Sequence, residues 1–419
     1  MKQMTPPYKE DRYMTVTAKK NPIITKQGVC DPHLHIFNDK AYLYASHDVP
    51  GPHVFDMHDW EVWSSDDLVV WEKESVIRPE ETSMGASWEC WAVDAAEKDG
   101  KYYVYLSNGG KETYVVESDN PGKGWRDPLG RPLLEETLTP TRSYDPTVFT
   151  DDDGSSYIIF GTPVWAGGDS YYIAKLNDDM ISLAETPRKI ELDDMADDKS
   201  FLHKYNGVYY LTWASYYATS DNVYGPYTTR GNINLSTDHG SFFEWNEQWF
   251  MAFTVDETID HIRRATGIAY IHFRENGDMC ADPLIREYGV GQYRAEWNCI
   301  EAEWFMKGHN TAKKENTFGN FDVVLKEGSW VEYPNIHDMP QNPILIIHAA
   351  SEEDVELDIY EGETFLGTLK KNKGFLDGGE FPKYNNGMLE LPLSAGTHSL
   401  RFVAKGDVKL NYFRLSDHT

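Results

Sequence analysis

The 419-residue sequence lacks several features that would each point to a particular class of protein. No run approaches the roughly 18–20 apolar residues of a membrane-spanning helix, so no membrane partner is expected. Basic residues are few: 39 Lys and Arg stand against 68 Asp and Glu, and the net charge of −29 disfavours nucleic-acid binding. Only four cysteines are present, none in a C-x-x-C pair, which excludes the usual zinc and thiol redox motifs.

The first residues, MKQMTPPYKEDRYM, also lack the apolar core of a signal peptide. As the sequence stands, we expect a cytoplasmic protein. A periplasmic or secreted protein trimmed of its leader would look the same. The oligomeric state is not indicated by any pattern in the sequence.

Aromatic residues and short strand-like runs are what the sequence has in abundance. Trp, Tyr and Phe make up 14% of the chain, which favours a folded protein over a disordered one. One unit recurs five times: an apolar strand, a short polar turn and an aromatic-rich strand. The copies read HLHIFNDKAYLY, VDAAEKDGKYYVYL, TVFTDDDGSSYIIF, FLHKYNGVYYLTW and FFEWNEQWFMAF.

This repeat predicts an all-β protein with a five-bladed β-propeller over residues 20–296, after an N-terminal extension of residues 1–19. Further strand pairs between the units bring each repeat to about four strands, the content of one blade. An irregular sandwich with similar hairpins is the alternative. Residues 297–419 continue as alternating strands without the unit, which predicts a separate β-sandwich of the jelly-roll type.

Polar residues at the starts of the repeats are candidate site residues, because the innermost strands of a propeller converge at one mouth of its channel. These positions hold Asp31, Glu89, Asp94, Asp145, Asp198 and His239. Asp31 and Asp145 occupy matching places, each before a proline that stiffens the backbone. An Asp before Pro can also simply begin a turn, Asp94 is expected to cap its strand, and Asp198 lies in a polar run typical of a solvated loop.

Converging carboxyl groups in an aromatic channel suit glycoside hydrolysis. One carboxyl group must protonate the leaving oxygen while another activates water. The aromatic rings of Trp91, Tyr144 and Trp213 are candidates to stack on sugar faces. Most other aromatics are expected to pack the blades.

Residues 20–296 resemble glycoside hydrolase family 43, on the segments CDPHLHIFNDKAYLYASHD, WAVDAAEKDGKYYVYLS, YDPTVFTDDDGSSYIIFG and DHGSFFEWNEQWFMAFT. The resemblance implies an inverting exo-acting enzyme for α-L-arabinofuranosides or β-xylosides, with a carbohydrate substrate as its partner. It implies Asp31 as general base and Asp145 as the carboxylate that tunes and orients the acid. His239 resembles a histidine that coordinates calcium or its water shell, and Arg263 or Arg264 would contact the sugar.

The general-acid position departs from the family pattern. The family motif opens with Glu followed by Gly or Ala, whereas this chain has Asp198 and Lys199. Three explanations stay open: Asp198 acts as acid from a shifted backbone, Glu89 takes over, or the protein binds sugars without cleaving them. The same hydrolase fold could also act on another sugar, such as a galactofuranoside.

The C-terminal region resembles carbohydrate-binding module family 6, on IEAEWF, GSWVEY, SAGTHSLRF and KLNYFRL. The resemblance implies a structural calcium held by Glu301 or Glu303, and sugar contacts from Tyr384 or Phe381 and from Asn411. The alternative is a domain that only packs against the propeller. No cofactor is expected for the chemistry itself, and calcium is implied only in the channel and in this domain.

Overall fold

The computed structural model describes residues 14–49, 55–162, 169–193, 197–256, 264–316, 319–373 and 384–417. Within these ranges the chain forms 32 strands and two short 3₁₀ helices, and no α-helix. The all-β prediction is therefore confirmed. The search for an apolar helix long enough to cross a membrane finds none in the described part of the chain.

The chain divides into two compact units. The first comprises Met1–Phe243 and Met251–Ala269, and the second comprises Glu244–Phe250 and Tyr270–Thr419.

Four antiparallel sheets follow one another along the first unit. The first has the strand order β1-β5-β4-β3-β2, with strands Thr15–Thr17 (β1), Val29–Phe37 (β2), Lys40–Asp48 (β3), Met57–Ser65 (β4) and Val70–Ile77 (β5). A 3₁₀ helix, Pro79–Glu81, follows. The second sheet contains Cys90–Lys98 (β6), Lys101–Asn108 (β7) and Glu112–Ser118 (β8) in chain order.

The third and fourth sheets each have four strands. The third contains Thr147–Thr150 (β9), Ser156–Thr162 (β10), Ser170–Lys175 (β11) and Arg188–Lys189 (β12), in chain order. The fourth contains Ser200–Tyr205 (β13), Val208–Trp213 (β14), Tyr216–Ser220 (β15) and Thr228–Asn232 (β16), in chain order. A fifth sheet follows with Gly240–Trp245 (β17), Gln248–Asp256 (β18), Arg264–Phe273 (β19) and Met279–Ala281 (β20).

Each of the five repeated units is a hairpin in one of these five sheets: β2–β3, β6–β7, β9–β10, β13–β14 and β17–β18. Their turns need left-handed backbone, which Asn, Asp and Gly adopt most readily. Asn38 and Asp39 have φ of 52° and 59°, and Asn206 has φ of 48° before Gly207 at 80°. Tight turns at these residues explain why the repeat could be recognised from its turn chemistry.

Apolar side chains join neighbouring sheets of the first unit in sequence. One buried cluster contains Trp60 of β4 and Val93 of β6, and the next contains Tyr105 of β7 and Phe160 of β10. A third cluster joins β10 and β11 to β13 and β14. Aromatic side chains such as Trp60, Tyr105 and Phe160 contribute to this packing, as expected for large apolar side chains.

The second unit contains two six-stranded sheets. One has the order β21-β26-β31-β28-β29 with β23 also paired to β26, and its strands are Tyr293–Arg294 (β21), Lys307–His309 (β23), Trp330–Met339 (β26), Val355–Glu361 (β28), Thr364–Lys371 (β29) and Gly396–Ala404 (β31). The other has the order β24-β25-β32-β27-β30 with β22 also paired to β32, and its strands are Ile300–Glu301 (β22), Ala312–Glu315 (β24), Phe321–Leu325 (β25), Ile344–Ala350 (β27), Tyr384–Glu390 (β30) and Val408–Ser416 (β32). A 3₁₀ helix, Ala302–Trp304, lies between β22 and β23.

Aromatic rings from both of these sheets meet inside the second unit. The Tyr333 ring of β26 lies 5.3 Å from Phe402 of β31 and 4.8 Å from Phe413 of β32, measured between ring centroids. All three residues are buried. This cluster packs one sheet against the other.

Candidate active site

Asp31 and Asp145 have the same local backbone in two different parts of the first unit. Both have φ of 49°, in the left-handed region, and both precede proline. The backbone N–H of Asp31 donates to Thr254 Oγ1 at 3.1 Å, and that of Asp145 donates to Ser107 Oγ at 2.9 Å. The residues are only 4% and 5% exposed. Each aspartate is therefore held by its proline and by a hydroxyl from another sheet.

Arg264 fixes Asp31 and is itself fixed by Asp48. Its Nη1 donates to Asp31 Oδ1 at 2.6 Å, while Nε and Nη2 donate to the two carboxylate oxygens of Asp48 at 3.1 and 2.8 Å. Burial lowers the pKa of Arg264, but Asp31 and Asp48 raise it well above its ordinary value. The Phe55 ring lies 5.1 Å from the guanidinium carbon. Such two-point pairing holds a cation in one orientation.

Asp198 lies against a lysine. Lys199 Nζ is 3.0 Å from Asp198 Oδ1 and 2.5 Å from Asp238 Oδ1. The Tyr144 hydroxyl donates to Asp198 Oδ2 at 3.0 Å. Burial raises the pKa of Asp198, but Lys199, Asp197 and Tyr144 together lower it below its ordinary value. The Asp198 side chain is therefore favoured as a carboxylate.

Asp145 has the opposite electrostatic environment. Burial raises its pKa most, and the carboxylates of Asp198 and Asp31 raise it further. Lys199 lowers the pKa of Asp145 only in part, so the pKa stays well above its ordinary value. Two carboxyl groups with pKa values driven apart by their surroundings are a recurrent basis for separate acid and base roles.

A buried network of His33, His239 and Asp94 reaches Asp31. His33 Nδ1 lies 2.9 Å from Asp94 Oδ1, and the Nε2 atoms of His33 and His239 are 3.2 Å apart. His239 Nδ1 lies 3.8 Å from Asp31 Oδ1. Burial, with the neighbouring His33, lowers the pKa of His239 well below its ordinary value. A neutral His239 therefore lies beside Asp31 at neutral pH.

Glu89 lies at the edge of a cavity. Its side chain is 43% exposed and pairs with Lys111 at 3.4 Å. With Trp91 and Arg142 it lines a cavity of about 340 Å³. Among the described residues, no hydrogen bond or ion pair joins Glu89 to Asp31 or to the other two aspartates. This position suits contact with a substrate, and the role of Glu89 as general acid stays a prediction.

The aromatic candidates are placed differently from one another. The Trp91 ring is half-buried and lies 5.9 Å from the Tyr144 ring, which brings it next to the Asp198 hydrogen bond. Trp213 is 4% exposed and packs in the apolar cluster between the third and fourth sheets, which leaves little ring face for a sugar. Arg263 lies outside the described residues, whereas Arg264 contacts Asp31 directly.

Several residues of this site were missed in the sequence. Asp48 and Asp238 complete the charge pairs of Arg264 and Lys199. Asp48 ends its strand close to where the partner strand with Asp31 begins, which is a signal that could have found it. Lys199 has φ of 74°, an uncommon conformation for a lysine. No pattern in the sequence predicts this conformation.

A family comparison shows what kind of protein this is. The family described as "Glycosyl hydrolases family 43" matches residues 19–279, which is more than half of the chain. The chain belongs to glycosyl hydrolase family 43. The predicted family resemblance is thereby confirmed, and this family 43 protein is a glycoside hydrolase.

Three relatives match much of the family 43 protein. It is 32% identical to "Xylosidase/arabinosidase 43A" of Humicola insolens over 58% of this chain and 93% of the relative. It is 28% identical to "Arabinoxylan arabinofuranohydrolase" of Bacillus subtilis (strain 168), over 76% of each chain. It is 26% identical to "Beta-D-galactofuranosidase xynD" of Aspergillus niger, over 63% of this chain and 84% of the relative.

Two solved structures are similar to this family 43 enzyme. A family 43 beta-xylosidase/alpha-arabinofuranosidase from a compost microbial metagenome, in complex with xylotriose and calcium-free, is 27% identical with a TM-score of 0.55, over 64% of this chain and 98% of that one. The second structure is an arabinoxylan arabinofuranohydrolase from Bacillus subtilis in complex with cellotetraose. The matched region covers 95% of this chain and 97% of that one. Its identity is 21% and its TM-score 0.58, a likeness of fold.

The described residues around His239 offer few side-chain ligands to calcium. Calcium takes six to eight oxygen ligands, whereas His239 uses its Nε2 on His33. Among the described residues, three ligand-type side chains come within 4.8 Å of one another only at His47, Asp59 and Glu61, where Lys73 already pairs with Glu61. Calcium, or its water shell, at His239 therefore stays a prediction.

Glu301 and Glu303 are the other predicted calcium ligands. Both are buried, and Glu303 Oε2 has no hydrogen-bond partner. Burial raises the pKa of Glu303 well above its ordinary value, and Glu301 raises it further. A buried carboxylate oxygen without a partner is the type of group that a cation would satisfy.

Proposed function

We propose that this family 43 enzyme removes α-L-arabinofuranosyl or β-xylosyl residues from the ends of plant-type polysaccharides or oligosaccharides, with inversion at the anomeric carbon. The observation that carries the proposal is the matched pair Asp31 and Asp145, both buried with φ of 49°, with Arg264 bound to Asp31. Relatives named as xylosidase/arabinosidase and as arabinoxylan arabinofuranohydrolase support the choice of sugars.

In the proposed reaction, Asp31 accepts a proton from a water molecule as the water oxygen attacks the anomeric carbon. The bond to the leaving oxygen breaks, and a carboxyl group on the other side of the sugar donates a proton to that oxygen. Arg264 keeps Asp31 in place, and the neutral His239 is positioned to orient the water or a sugar hydroxyl. No cofactor takes part in these steps.

A panel of 4-nitrophenyl glycosides tests this proposal. We expect turnover of the α-L-arabinofuranoside or the β-D-xyloside, and its loss in Asp31→Asn. Turnover of the β-D-galactofuranoside alone would support the second candidate function, which the Aspergillus niger relative favours. Clear sugar binding by isothermal titration, with no turnover of any glycoside, would instead support a non-catalytic glycan-binding protein.

We infer that the first five sheets form a five-bladed β-propeller. Consecutive sheets share apolar clusters, and the first sheet contacts the fifth: the backbone N–H of Leu34 in β2 donates to Ser241 Oγ in β17 at 2.9 Å. Such a contact would close a ring around an axis, and β2, β6, β9, β13 and β17 would line its channel.

We also propose that the second unit contains a β-sandwich similar to carbohydrate-binding module family 6. Its two sheets packed through Tyr333 support this. Of the sugar-binding candidates, Tyr384 and Asn411 both donate to the Asp322 carboxylate, at 2.5 and 3.1 Å, while Phe381 lies outside the described residues. Isothermal titration with arabinoxylan oligosaccharides, comparing wild type with Tyr384→Ala, tests sugar binding there.

We propose Glu301 and Glu303 as ligands of a structural calcium ion in this unit. The pKa values of both carboxyl groups are raised in the folded protein. Ionisation of Glu303 therefore destabilises the fold once the pH rises above the ordinary pKa of a glutamate. Calcium should therefore raise the melting temperature of the wild type at pH 7, whereas Glu303→Gln should raise it without calcium and remove the response. An equal calcium response in both proteins would contradict the assignment.

A further inference from the structure

A cavity of about 340 Å³ lies beside Trp91 in the first unit, and the reaction proposed above does not use it. Its lining includes the Trp91 ring, two carboxylates, Glu89 and Glu136, and two cations, Lys111 and Arg142. An aromatic ring combined with a few polar groups is the usual composition of a small-molecule site, and the volume lies in the range of such sites. The cavity is therefore a candidate for binding part of a substrate.

The cavity adjoins the candidate active site. The Trp91 ring lies 5.9 Å from the Tyr144 ring, and the Tyr144 hydroxyl donates to Asp198 at 3.0 Å. Arg142 stands only three positions before Asp145, so their Cα atoms are at most about 11 Å apart. A sugar in the cavity is thus near enough to be joined directly to a sugar bound at these aspartates.

The Trp91 ring is held in one orientation. Its Nε1–H donates to the Phe55 carbonyl oxygen at 3.2 Å, and the Trp91 carbonyl accepts from the Trp60 ring N–H at 2.6 Å. The backbone N–H of Trp91 also donates to the Glu89 carbonyl oxygen at 2.8 Å. The ring is nevertheless only half-buried. A fixed ring with an accessible side offers an apolar surface to the C–H face of a sugar at little cost in conformational entropy.

Two adjacent glycines leave room for charged groups at the wall of the cavity. A Cβ at Gly109 would lie 2.4 Å from Glu89 Oε2, and a Cβ at Gly110 would lie 2.8 Å from Arg142 Nη1. Any larger residue at these positions would displace the carboxylate or the guanidinium. The present places of Glu89 and Arg142 therefore depend on Gly109 and Gly110.

The charges around the cavity favour a neutral ligand. Lys111 pairs with Glu89 at 3.4 Å, whereas no carboxylate in the described part of the chain lies within 4 Å of the Arg142 guanidinium. The two carboxylates and two cations of the lining cancel in net charge, and an acidic sugar would meet Glu89 and Glu136 as like charges. A sugar hydroxyl can donate to a carboxylate and accept from a guanidinium, so neighbouring hydroxyls suit Glu89 and Arg142 together.

We propose that this cavity binds the neutral sugar next to the one that is removed, with its face on Trp91 and its hydroxyl groups on Glu89 and Arg142. This inference rests on the proposed hydrolase function and deepens it, because it makes an oligosaccharide the preferred substrate over a small glycoside. Glu89 and Arg142 are then specificity-determining residues on the leaving side of the bond.

The preference for a disaccharide over an aryl glycoside tests the proposal. For the sugar that the wild type removes, kcat/KM is measured on 1,4-β-xylobiose or 1,5-α-arabinobiose and on the matching 4-nitrophenyl glycoside. We expect the ratio of disaccharide to aryl glycoside to fall about 10–100-fold in Arg142→Met, because hydrogen bonds to a charged group are lost. Gly110→Ala should lower the same ratio. Gly110 lacks a positive φ, so alanine fits its backbone, and the new Cβ displaces Arg142.

Arg131→Met is the matched control. Arg131 is exposed, lies outside the cavity lining and donates to the Pro132 carbonyl oxygen. The same substitution there should leave the ratio unchanged. A wild-type ratio in both Arg142→Met and Gly110→Ala, or an equal fall in Arg131→Met, would overturn the proposal.

Isothermal titration separates this proposal from the proposed function, because it needs no turnover. In Asp31→Asn, xylobiose or arabinobiose should bind about tenfold more tightly than the monosaccharide, and adding Arg142→Met should remove most of that preference. Sugar binding in the second unit would not respond to Arg142. Failure to cleave any aryl glycoside would contradict the hydrolase function alone, whereas equal affinity for both sugars would overturn the cavity assignment.

A sugar acid tests the preference for a neutral ligand. Xylobionic acid carries a carboxylate on its leaving-side unit and should bind Asp31→Asn more weakly than xylobiose, because Glu89 and Glu136 repel it. Tighter binding of the acid, lost in Arg142→Met, would overturn the assignment of a neutral sugar.

Discussion

At the scale of single residues, the site depends on two aspartates with the same local conformation. Their equivalence could be predicted from the sequence, because each precedes proline at the start of a repeated hairpin. Their partners could not, because Arg264 and Asp48 are 216 positions apart and meet only through the fold. The pairing of Asp198 with Lys199 could not be predicted either. It depends on the uncommon positive φ of Lys199, because the side chains of adjacent residues otherwise rarely face each other.

Substitution of the predicted base tests the most direct residue claim. Asp31→Asn keeps the shape of the side chain and its contact with Arg264 but cannot accept a proton from water. We expect kcat/KM on the preferred aryl glycoside to fall by about 10²–10⁴-fold or more, and the melting temperature to fall as well, because the buried Arg264 loses one of its carboxylate partners. Activity within tenfold of wild type would remove Asp31 as the base.

Arg264 offers a prediction about stability as well as activity. Arg264→Met leaves Asp31 and Asp48 buried without their cation, which should lower the free energy of unfolding by about 3–5 kcal/mol in urea titrations. Arg264→Lys should lose less stability, but it cannot pair with both carboxylates in the same geometry, so kcat/KM should still fall. Full activity in Arg264→Lys would show that the two-point pairing is unnecessary.

At the scale of secondary-structure elements, buried hydrogen bonds join the first strands of neighbouring sheets. Asp94 of β6 accepts from His35 of β2 at 2.6 Å, and from the Thr147 hydroxyl and the Val148 N–H of β9 at 3.0 and 2.6 Å. The sequence suggested only that Asp94 caps its strand. Its real partners lie in other sheets, which periodicity within one segment cannot show.

The pH dependence of stability tests this connection. Burial raises the pKa of Asp94, but His33 and His35 lower it well below its ordinary value of about 3.9. A depressed pKa stabilises the fold above about pH 4 and loses that effect as the pH falls further. Asp94→Asn should therefore be destabilised by about 3–5 kcal/mol at pH 7, and the difference from wild type should shrink below pH 4. A constant difference would contradict the assigned ionisation.

Two glycines with similar backbone angles test how the end of β3 supports the site. Gly28 and Gly100 have φ of 70° and 79°. A Cβ at Gly28 would overlap the carbonyl oxygen of Asp48, whereas a Cβ at Gly100 would meet open space. Gly100→Ala should cost about 1–2 kcal/mol of backbone strain. Gly28→Ala should cost more and should also lower kcat/KM, because it displaces Asp48; equal effects of the two variants would contradict this.

At the scale of the whole molecule, the all-β class and the five hairpins followed from turn residues and alternation, which are local signals. Less of the function than of the fold could be predicted from these local signals. The sequence alone does not show whether the Trp213 ring binds sugar or packs in the core. In the structure Trp213 is buried. Glu89 begins a repeat as Asp31 does, yet its side chain pairs with Lys111 at a cavity. The different placements of Trp213 and Glu89 depend on burial and on contacts with distant parts of the chain, which local sequence patterns do not show.

The net charge of −29 is also a property of the whole molecule. An excess of like charge disfavours the compact state, and dissolved salt screens that repulsion. We expect the melting temperature to rise as sodium chloride increases from about 0.05 to 0.5 M, measured by differential scanning fluorimetry. A fall over the same range would mean that attractive surface ion pairs outweigh the repulsion.

The configuration of the first sugar released by the wild type tests the central claim most directly. Proton NMR can follow the anomeric signal of arabinose or xylose during cleavage of the preferred aryl glycoside, before mutarotation. Attack by water activated at Asp31 predicts that the first product has the anomeric configuration opposite to that of the substrate. A first product with retained configuration would contradict the account.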